Sequence, residues 1–569
     1  MFSNLIRRII SKQYILLLLT VAAFGIYANA LNGGLVWDDH YYVSRFPLRF
    51  NSLSSLFLPT DLKGAIMVFY RPLIGLTYLL DYSVWFDKPL GYHLTNIIFH
   101  TVNTVLLYFI TDKIFKSVTV AFWAAMLFAV HPIHTESVSW IAGRTDIVAT
   151  AFVFLSMLAH TEFKEKNNKK AIIPATLFFA LAMFSKEIAI GAIIVFAMYD
   201  LLISGQKGLE PLPYICYGAV IILYLIMRQL YLANTVMEMS FKSFPDMLTI
   251  FFSSMAFYLY KFFYPIGLSL YISEIPYKAL FLIAGIFLSA ISVFLFINFI
   301  KKKRIYFFLI ASFFITIMPS IFGAFTTVLS PPFAERYLYL PSAFLCIGIA
   351  YSTLKLGRYS RYLIIPVFLV FALLTYNRNG LWKSELLLWK DTVEKTNHWY
   401  PKSEYARTLL SQGKLNEALK ASEESLSQAI SENANAKSLS KIYNNIGQVY
   451  VEDGNFDTAV VYFNKAIESS KTNPIPYHNI GEILLTKAKN ERNNSPFNLK
   501  QAESYFTKAI ENDPYLFESY LGLGEVFFMS GDIKSAESYY WKVLKLAPNT
   551  PYSAEAVKGL LRPEMLKVK

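Results

Sequence analysis

RYLIIPVFLVFALLTYNRNG, residues 361–380, is where the chain changes character. Apolar residues crowd into uninterrupted blocks up to about Asn377 and fall to ordinary soluble levels beyond it. Of 569 residues, 55% are hydrophobic and 17% aromatic, while only 16% are charged, a balance too apolar for a soluble protein of this size. The sequence therefore reads as an all-α protein in two parts. Residues 1–378 are expected to form a polytopic membrane helix bundle, 379–400 a linker, and 401–560 a water-soluble solenoid of helical repeats.

Spanning about 30 Å of hydrocarbon takes roughly 20 mostly apolar helical residues. About eleven such runs occur, near 13–30, 92–110, 118–133, 147–161, 171–185, 188–204, 212–229, 278–300, 305–325, 338–354 and 362–376. The net charge of +13 is carried by short segments between these runs. Lys113 and Lys116, then Lys164, Lys166, Lys169 and Lys170, then Lys207, then Lys301 to Arg304, then Lys355, Arg358 and Arg361 mark alternate loops. Such loops belong on the cytoplasmic side, so the basicity is topological and implies no nucleic acid. A further stretch, Met247 to Pro265, would break the alternation if it crossed, and is read as interfacial or re-entrant. Parity then places the N-terminus in the cytoplasm and the tail outside, on a plasma (inner) membrane. Arg7 and Arg8 before an apolar run ending Ala28, Asn29, Ala30 also resemble a signal peptide, but the run is longer than most, which favours an uncleaved first span. Cys216 and Cys346 both lie in apolar runs and define no disulfide framework.

Self-similarity governs the tail. Tyr443, Ile446, Gly447, Tyr450, Gly454, Ala459, Phe463 and Ala466 follow the 34-residue helix-turn-helix spacing of tetratricopeptide repeats. Tyr520, Leu523, Gly524, Phe527, Gly531, Ala536, Tyr540, Val543 and Pro548 repeat it. A third repeat opens at Tyr477, Ile480, Gly481 and Leu484 and resumes at Ala502, Phe506, Ala509 and Pro514 after a polar insertion, Asn490 to Asn494. A weaker first one surrounds Gly413 and Ala418. Four repeats suffice for a concave surface that takes a peptide or protein.

Charged residues beside a membrane are costly unless solvated or used, which singles out five clusters in the outer loops. Trp37, Asp38, Asp39 and His40 follow the first run, and paired carboxylates there suit a general base or a divalent cation. Tyr70, Arg71 and Pro72 offer a guanidinium fork for phosphate or an interfacial anchor. His131, His134 and Glu136, followed by Trp140, Arg144 and Asp146, gather at one junction. Their spacing does not put three metal ligands on one helix face, which weighs against metal there; no metal site is assigned, with Asp38 and Asp39 as possible cation ligands. Ser185, Lys186 and Glu187 form a small turn, and Glu335 and Arg336 precede interfacial tyrosines. His93, Asn96, His100 and Asn103 share one face of the second run, for interhelical hydrogen bonds or for lining a cavity.

Taken in order, Val36 to Asp39, Tyr70 to Leu73, Tyr92 to Asn96 with His100, His131 to Asp146, Ser185 to Glu187, Glu335 to Ser342 and the trailing repeats resemble the transmembrane and tetratricopeptide-repeat O-mannosyltransferase family. That family belongs to the GT-C class of membrane glycosyltransferases, and the likeness covers nearly the whole chain. It implies an inverting enzyme that takes a sugar from a polyprenyl-phosphate donor at the outer membrane face and passes it to a hydroxyl, often of Ser or Thr. The resemblance makes the acidic pair catalytic. An aspartate of pKa about 4 cannot ionise an alcohol beforehand but accepts its proton as the new bond forms. Asp39 is the preferred base and Asp38 its alternative. Arg71, Arg144, Lys186 and Arg336 are the candidates for the leaving phosphate, and the repeats would recruit acceptor protein. His40, His93, His131, His134, Glu136, Asp146, Glu187 and Glu335 are further site candidates.

A Lys- and Asn-rich chain with about four repeats resembles a bacterial relative, which leaves the sugar open and admits a glycolipid acceptor. Two other classes compete. A membrane-anchored repeat scaffold for envelope assembly or secretion would be indifferent to loss of Asp38, Asp39 and Arg336. A transporter would carry ionisable residues deep within its spans, whereas here they sit at loops.

Overall fold

The computed structural model describes residues 2–49, 53–58, 69–205, 208–232, 240–299, 304–326, 331–356, 361–490, 495–548 and 550–566. The chain is all-α, and the described residues separate into two compact units, 1–391 and 392–569. Pairing between extended segments is confined, among them, to two isolated bridges, Phe241 with Thr326 and Ile272 with Phe333.

The first unit opens with α1 (Phe2–Tyr27), α2 (Pro72–Trp85), α3 (Pro89–Phe115), α4 (Val118–Ala129) and α5 (Thr135–Ser139). Next come α6 (Arg144–Lys166), α7 (Ile172–Ser185), α8 (Ala192–Leu202), α9 (Pro211–Leu232) and α10 (Phe244–Phe263). It ends with α11 (Lys278–Phe299), α12 (Arg304–Gly323), α13 (Tyr339–Lys355), α14 (Arg361–Asn379) and α15 (Glu385–Lys395), the last running into the second unit. Local chemistry sets several starts. Proline stands in the first turn of α2, α3 and α10, where its missing N–H costs nothing. The Ser117 and Ser243 hydroxyls cap α4 and α10 by accepting backbone N–H bonds.

Seven helices among the described residues are long and apolar enough to cross a bilayer, making this a multi-pass membrane protein. The pair Val118–Ala129 and Pro132–Ser139 meets the same length and apolarity together but is bent by 52°, as in a broken span or a re-entrant loop. The run 171–204 differs from its expected two spans. Its helices α7 and α8 have only 14 and 11 residues, separated at Lys186 by a 3₁₀ turn over Glu187–Gly191. Fourteen helical residues reach about 21 Å, short of the hydrocarbon thickness. The break falls at the turn expected over Ser185 to Glu187, so the shortness of the two helices, not the break, departs from expectation. Helix α10, which covers Met247, is not among the helices apolar enough to cross, and it buries Phe257, Tyr258 and Phe262.

Residues 379–400, expected as a linker, are largely helical, comprising a 3₁₀ turn over Gly380–Lys383, all of α15 and the start of the next helix. Trp382 and Trp389 are fully buried there, and Arg378 donates to Asp391 at 2.6 Å. Apolar bulk, spaced too sparsely to read as a span, nevertheless anchors the segment.

The second unit stacks α16 (Trp399–Ser411), α17 (Leu415–Ser431), α18 (Ala436–Glu452), α19 (Phe456–Ser469) and α20 (Pro474–Asn490). It continues with α21 (Ser495–Asn512), α22 (Phe517–Met529), α23 (Ile533–Leu546) and α24 (Pro551–Leu560). The four expected repeats are the pairs α16/α17 to α22/α23. Gly454 takes φ 78° at its turn, a left-handed conformation open to glycine at no steric cost. At Gly524 a Cβ would fall 2.6 Å from the Tyr540 ring, so only glycine lets the paired helices close on that aromatic. Most of the expected insertion, 491–494, lies outside the described residues, as do Lys207, Lys301 to Lys303 and Arg358.

Candidate active site

The loop after α1 gives its two acids opposite surroundings. Asp39 is fully buried. Its Oδ1 accepts from the Ala142 N–H at 2.9 Å and its Oδ2 from the Val36 N–H at 3.2 Å. Burial pushes its pKa well above the usual carboxylate range against the pull of those two N–H groups, and neighbouring Asp38 pushes the same way. Asp38 is exposed, while its carbonyl accepts from the Tyr41 and Tyr42 N–H groups at 3.0 and 3.1 Å. The buried acid thus pins the loop to residue 142, while its neighbour is exposed.

Trp37 precedes them at φ 53°, where a bulky side chain is strained. Its N–H donates to Glu385 Oε1 at 3.0 Å, and His40 Nε2 lies 3.3 Å from Glu385 Oε2. The Trp37 ring stacks on Trp140 at 5.0 Å.

Three cation–carboxylate pairs lie beyond Trp140. Arg71 grips Glu187 through Nε at 3.1 Å and Nη2 at 2.5 Å. Lys186 donates to both oxygens of Asp146, at 2.6 and 2.7 Å. Arg336 pairs with Glu136 through its guanidinium, and its backbone N–H adds a 2.9 Å bond. Tyr337 joins them, its ring 5.4 Å from Lys186 Nζ and 5.1 Å from the Arg336 guanidinium, which also lies 5.2 Å from the Trp140 ring. Burial pushes the Lys186 pKa down against the attraction of Asp146, with Arg71 and Arg336 adding to the downward push. Partial burial pushes Glu187 up, but Arg71 outweighs it and holds the carboxyl at about 2. Arg71 and Arg336 keep 15% and 14% of their side chains exposed, so an anion can reach them.

Arg144 stands elsewhere. It is fully buried and donates to Asp81 Oδ2 at 2.7 Å, Thr77 Oγ1 at 3.3 Å, the Tyr92 carbonyl at 3.1 Å and the Ile141 carbonyl at 3.3 Å, with the Tyr78 ring 4.4 Å away. These bonds consume its fork. Arg144 ties α6 to α2 and α3 and is not placed to meet a phosphate.

The α3 stripe also serves packing. Asn96 donates to the Trp140 carbonyl at 2.8 Å and Asn103 to the Ile147 carbonyl at 2.8 Å. His100 bridges the Tyr339 hydroxyl (2.7 Å) and the Ala129 carbonyl (3.0 Å). A Cβ on Gly33 would come 2.9 Å from His93 Nε2, so the first loop lies directly on that ring. His131 stacks on Phe262 at 4.6 Å, and His134 bridges the Phe128 carbonyl and Ser342, both at 2.9 Å. Glu335 accepts from Lys261 at 3.2 Å and the Ser269 N–H at 3.0 Å. Among the described residues no three His, Cys, Asp or Glu side chains converge as metal ligands would, and both Asp39 oxygens are engaged by backbone.

Sequence reasoning missed Asp81, Lys261, Asn379 and Glu385. A charge inside an apolar run could have flagged Asp81 and Lys261. Glu385 sits in a segment of ordinary composition and carried no signal.

Comparison with known proteins follows the same division. Residues 82–232 match the family described as dolichyl-phosphate-mannose-protein mannosyltransferase, and 400–472 and 517–550 match tetratricopeptide repeats. The protein O-mannosyl-transferase Tmtc2 of Drosophila melanogaster is 34% identical over 211 residues, covering 34% of this chain and 22% of the relative. The protein O-mannosyl-transferase F38B6.6 of Caenorhabditis elegans is 29% identical over 342 residues, 56% of this chain and 48% of the relative. Human protein O-mannosyl-transferase TMTC1 is 32% identical over 209 residues, 33% of this chain and 24% of its own. The matches thus span about half or less of each relative. The chain joins a segment that matches the dolichyl-phosphate-mannose-protein mannosyltransferase family to tetratricopeptide repeats in one multi-pass membrane protein.

Proposed function

We propose that this protein is an inverting membrane glycosyltransferase of GT-C type that moves a sugar, mannose in the first instance, from a polyprenyl-phosphate donor to an acceptor hydroxyl. The observation that carries this reading is an exposed aspartate, Asp38, on a loop pinned beside the Trp140, Arg336, Lys186 and Arg71 cluster, within a chain whose relatives are named protein O-mannosyl-transferases. Asp38 is the base in preference to Asp39, because Asp38 is exposed and Asp39 is fully buried. The acceptor oxygen attacks the anomeric carbon as the bond to phosphate breaks. Its proton passes to Asp38, and the phosphate leaves with the bonding electron pair. Arg71, Lys186 and Arg336 offset that charge, each held in place beforehand by its own carboxylate, so little reorganisation accompanies the reaction.

Two further features support this reading. A cavity of about 660 Å³ lies among α10, α11 and α12, lined by Phe251, Phe252, Met255, Val293, Ile310 and Phe314, and its apolar walls suit a prenyl tail. The basic residues Lys113, Lys164 and Lys166 sit at the ends of α3 and α6 opposite Tyr92 and Arg144. That supports an outer, extracytoplasmic site with a periplasmic repeat domain that recruits acceptor protein.

The test is mass spectrometry of extracytoplasmic proteins and glycolipids from cells with and without the protein. Hexose lost from Ser or Thr residues on deletion supports the reading, and unchanged glycans on both classes overturn it.

A further inference from the structure

Resting on that reading, we propose that Glu385 is a positioning residue of the reaction, and that residues 379–391 form a clamp that holds the base-bearing loop in its working shape. The loop needs such a hold, because Trp37 is kept in a left-handed conformation that a tryptophan does not adopt unaided. Glu385 supplies it across 348 residues of sequence, accepting the Trp37 N–H on one oxygen and facing His40 with the other. These two contacts bracket Asp38 and Asp39.

The clamp is itself bolted to the loop's root. Asn379, fully buried, accepts from the Ser139 hydroxyl at 2.8 Å and donates to the Ile26 carbonyl at 3.0 Å and to Asn29 Oδ1 at 3.1 Å. The Lys383 carbonyl accepts from the Gly34 N–H at 3.4 Å. Trp389 meets the Trp37 ring edge-on at 5.9 Å, and Trp382 stacks on Trp140 at 6.4 Å. The Trp37–Trp140 stack that joins the acidic loop to Arg336 is therefore built partly from this segment. Residues after the last membrane helix are working parts of the site.

The experiment uses the full chain in lipid nanodiscs with synthetic polyprenyl-phosphate mannose and a pool of Ser/Thr peptides. Removing a hydrogen bond to a charged group is expected to lower kcat about ten- to a hundredfold in Glu385→Ala, with KM for the donor within about twofold. Circular dichroism in the tryptophan region reads the Trp37–Trp140 stack, assigned by difference from Trp37→Phe, and Glu385→Ala should lose it. Glu385→Gln keeps an acceptor for the Trp37 N–H and should restore both kcat and stack. Should Glu385→Ala fail to fold, Glu385→Asp, one methylene too short to reach Trp37, replaces it with the same outcomes. Wild-type kcat in the shortened variant, or no rescue by glutamine, overturns the proposal. Asp38→Asn measured in parallel separates the two readings. Full activity there removes the base assignment while leaving the clamp to be judged on Glu385.

Discussion

Arg144→Ala is expected to destabilise the membrane unit strongly. The guanidinium is fully buried and holds Asp81, whose side chain is 9% exposed, at 2.7 Å. Truncation leaves that carboxylate with the Thr95 hydroxyl at 2.7 Å as its remaining hydrogen bond, and strips the Tyr92 and Ile141 carbonyls of a donor. Breaking one partner of a buried pair costs about 3–5 kcal/mol. Arg71→Ala provides the contrast. Its partner Glu187 is 40% exposed and can be solvated, so the loss of stability should stay within about 1 kcal/mol while transfer falls. Equilibrium unfolding in mixed detergent micelles reads both variants. Asp81→Ala with Arg144→Ala should cost less than the sum of the single changes, because no charge is then left buried alone. Unaltered stability in Arg144→Ala, combined with weakened donor binding, would refute the assignment of Arg144 to structure.

Asp38→Asn should abolish transfer in a protein of wild-type stability. Asp39→Asn should lower thermal stability as well, since an amide NH₂ would face a backbone N–H in place of one oxygen; equal stability of the two variants would contradict their division of labour. Glu187 is held at about 2, below its ordinary 4.5, so the stabilisation from its pair with Arg71 is whole above pH 4.5 and fades as pH falls towards 2. Thermal unfolding across that range should lose this component in the wild type and lack it in Glu187→Gln. Gly524→Ala forces a methyl to within 2.6 Å of the Tyr540 ring, an overpacking of about 1–3 kcal/mol that circular dichroism of the unfolding repeats would report.

The repeats were legible because their information is local. Gly447 and Phe463, or Gly524 and Tyr540, are sixteen residues apart, and in each pair the aromatic ring fills the space the glycine vacates. The α3 stripe was legible for the same reason, since a helical period puts Asn96, His100 and Asn103 on one face wherever their partners lie. Partners distant in sequence were not. Arg144 read as a free cation beside the site because Asp81, which neutralises it, is 63 residues away in an apolar run. Asp38 and Asp39 are adjacent and chemically identical in sequence. Only the chain reversal that brings the Ala142 N–H to Asp39 separates a buried strut from an exposed acid. Glu385 was hidden in a stretch read as a linker because a fixed segment needs only a few anchors, here Trp382, Trp389 and the Arg378–Asp391 pair. The turn at Ser185 to Glu187 was legible, because three polar residues interrupt the apolar run there, whereas the shortness of the helices on either side was not.

The most direct test of glycosyl transfer is reconstitution. Purified wild-type protein in nanodiscs is given polyprenyl-phosphate mannose and a pool of Ser/Thr peptides, and the products are read by mass spectrometry beside Asp38→Asn. The account predicts hexose on peptide hydroxyls, with matching release of polyprenyl phosphate, in the wild type and neither in the variant. Transfer that proceeds equally well without the Asp38 carboxylate, or a folded wild-type protein that leaves both donor and peptides untouched, would contradict it.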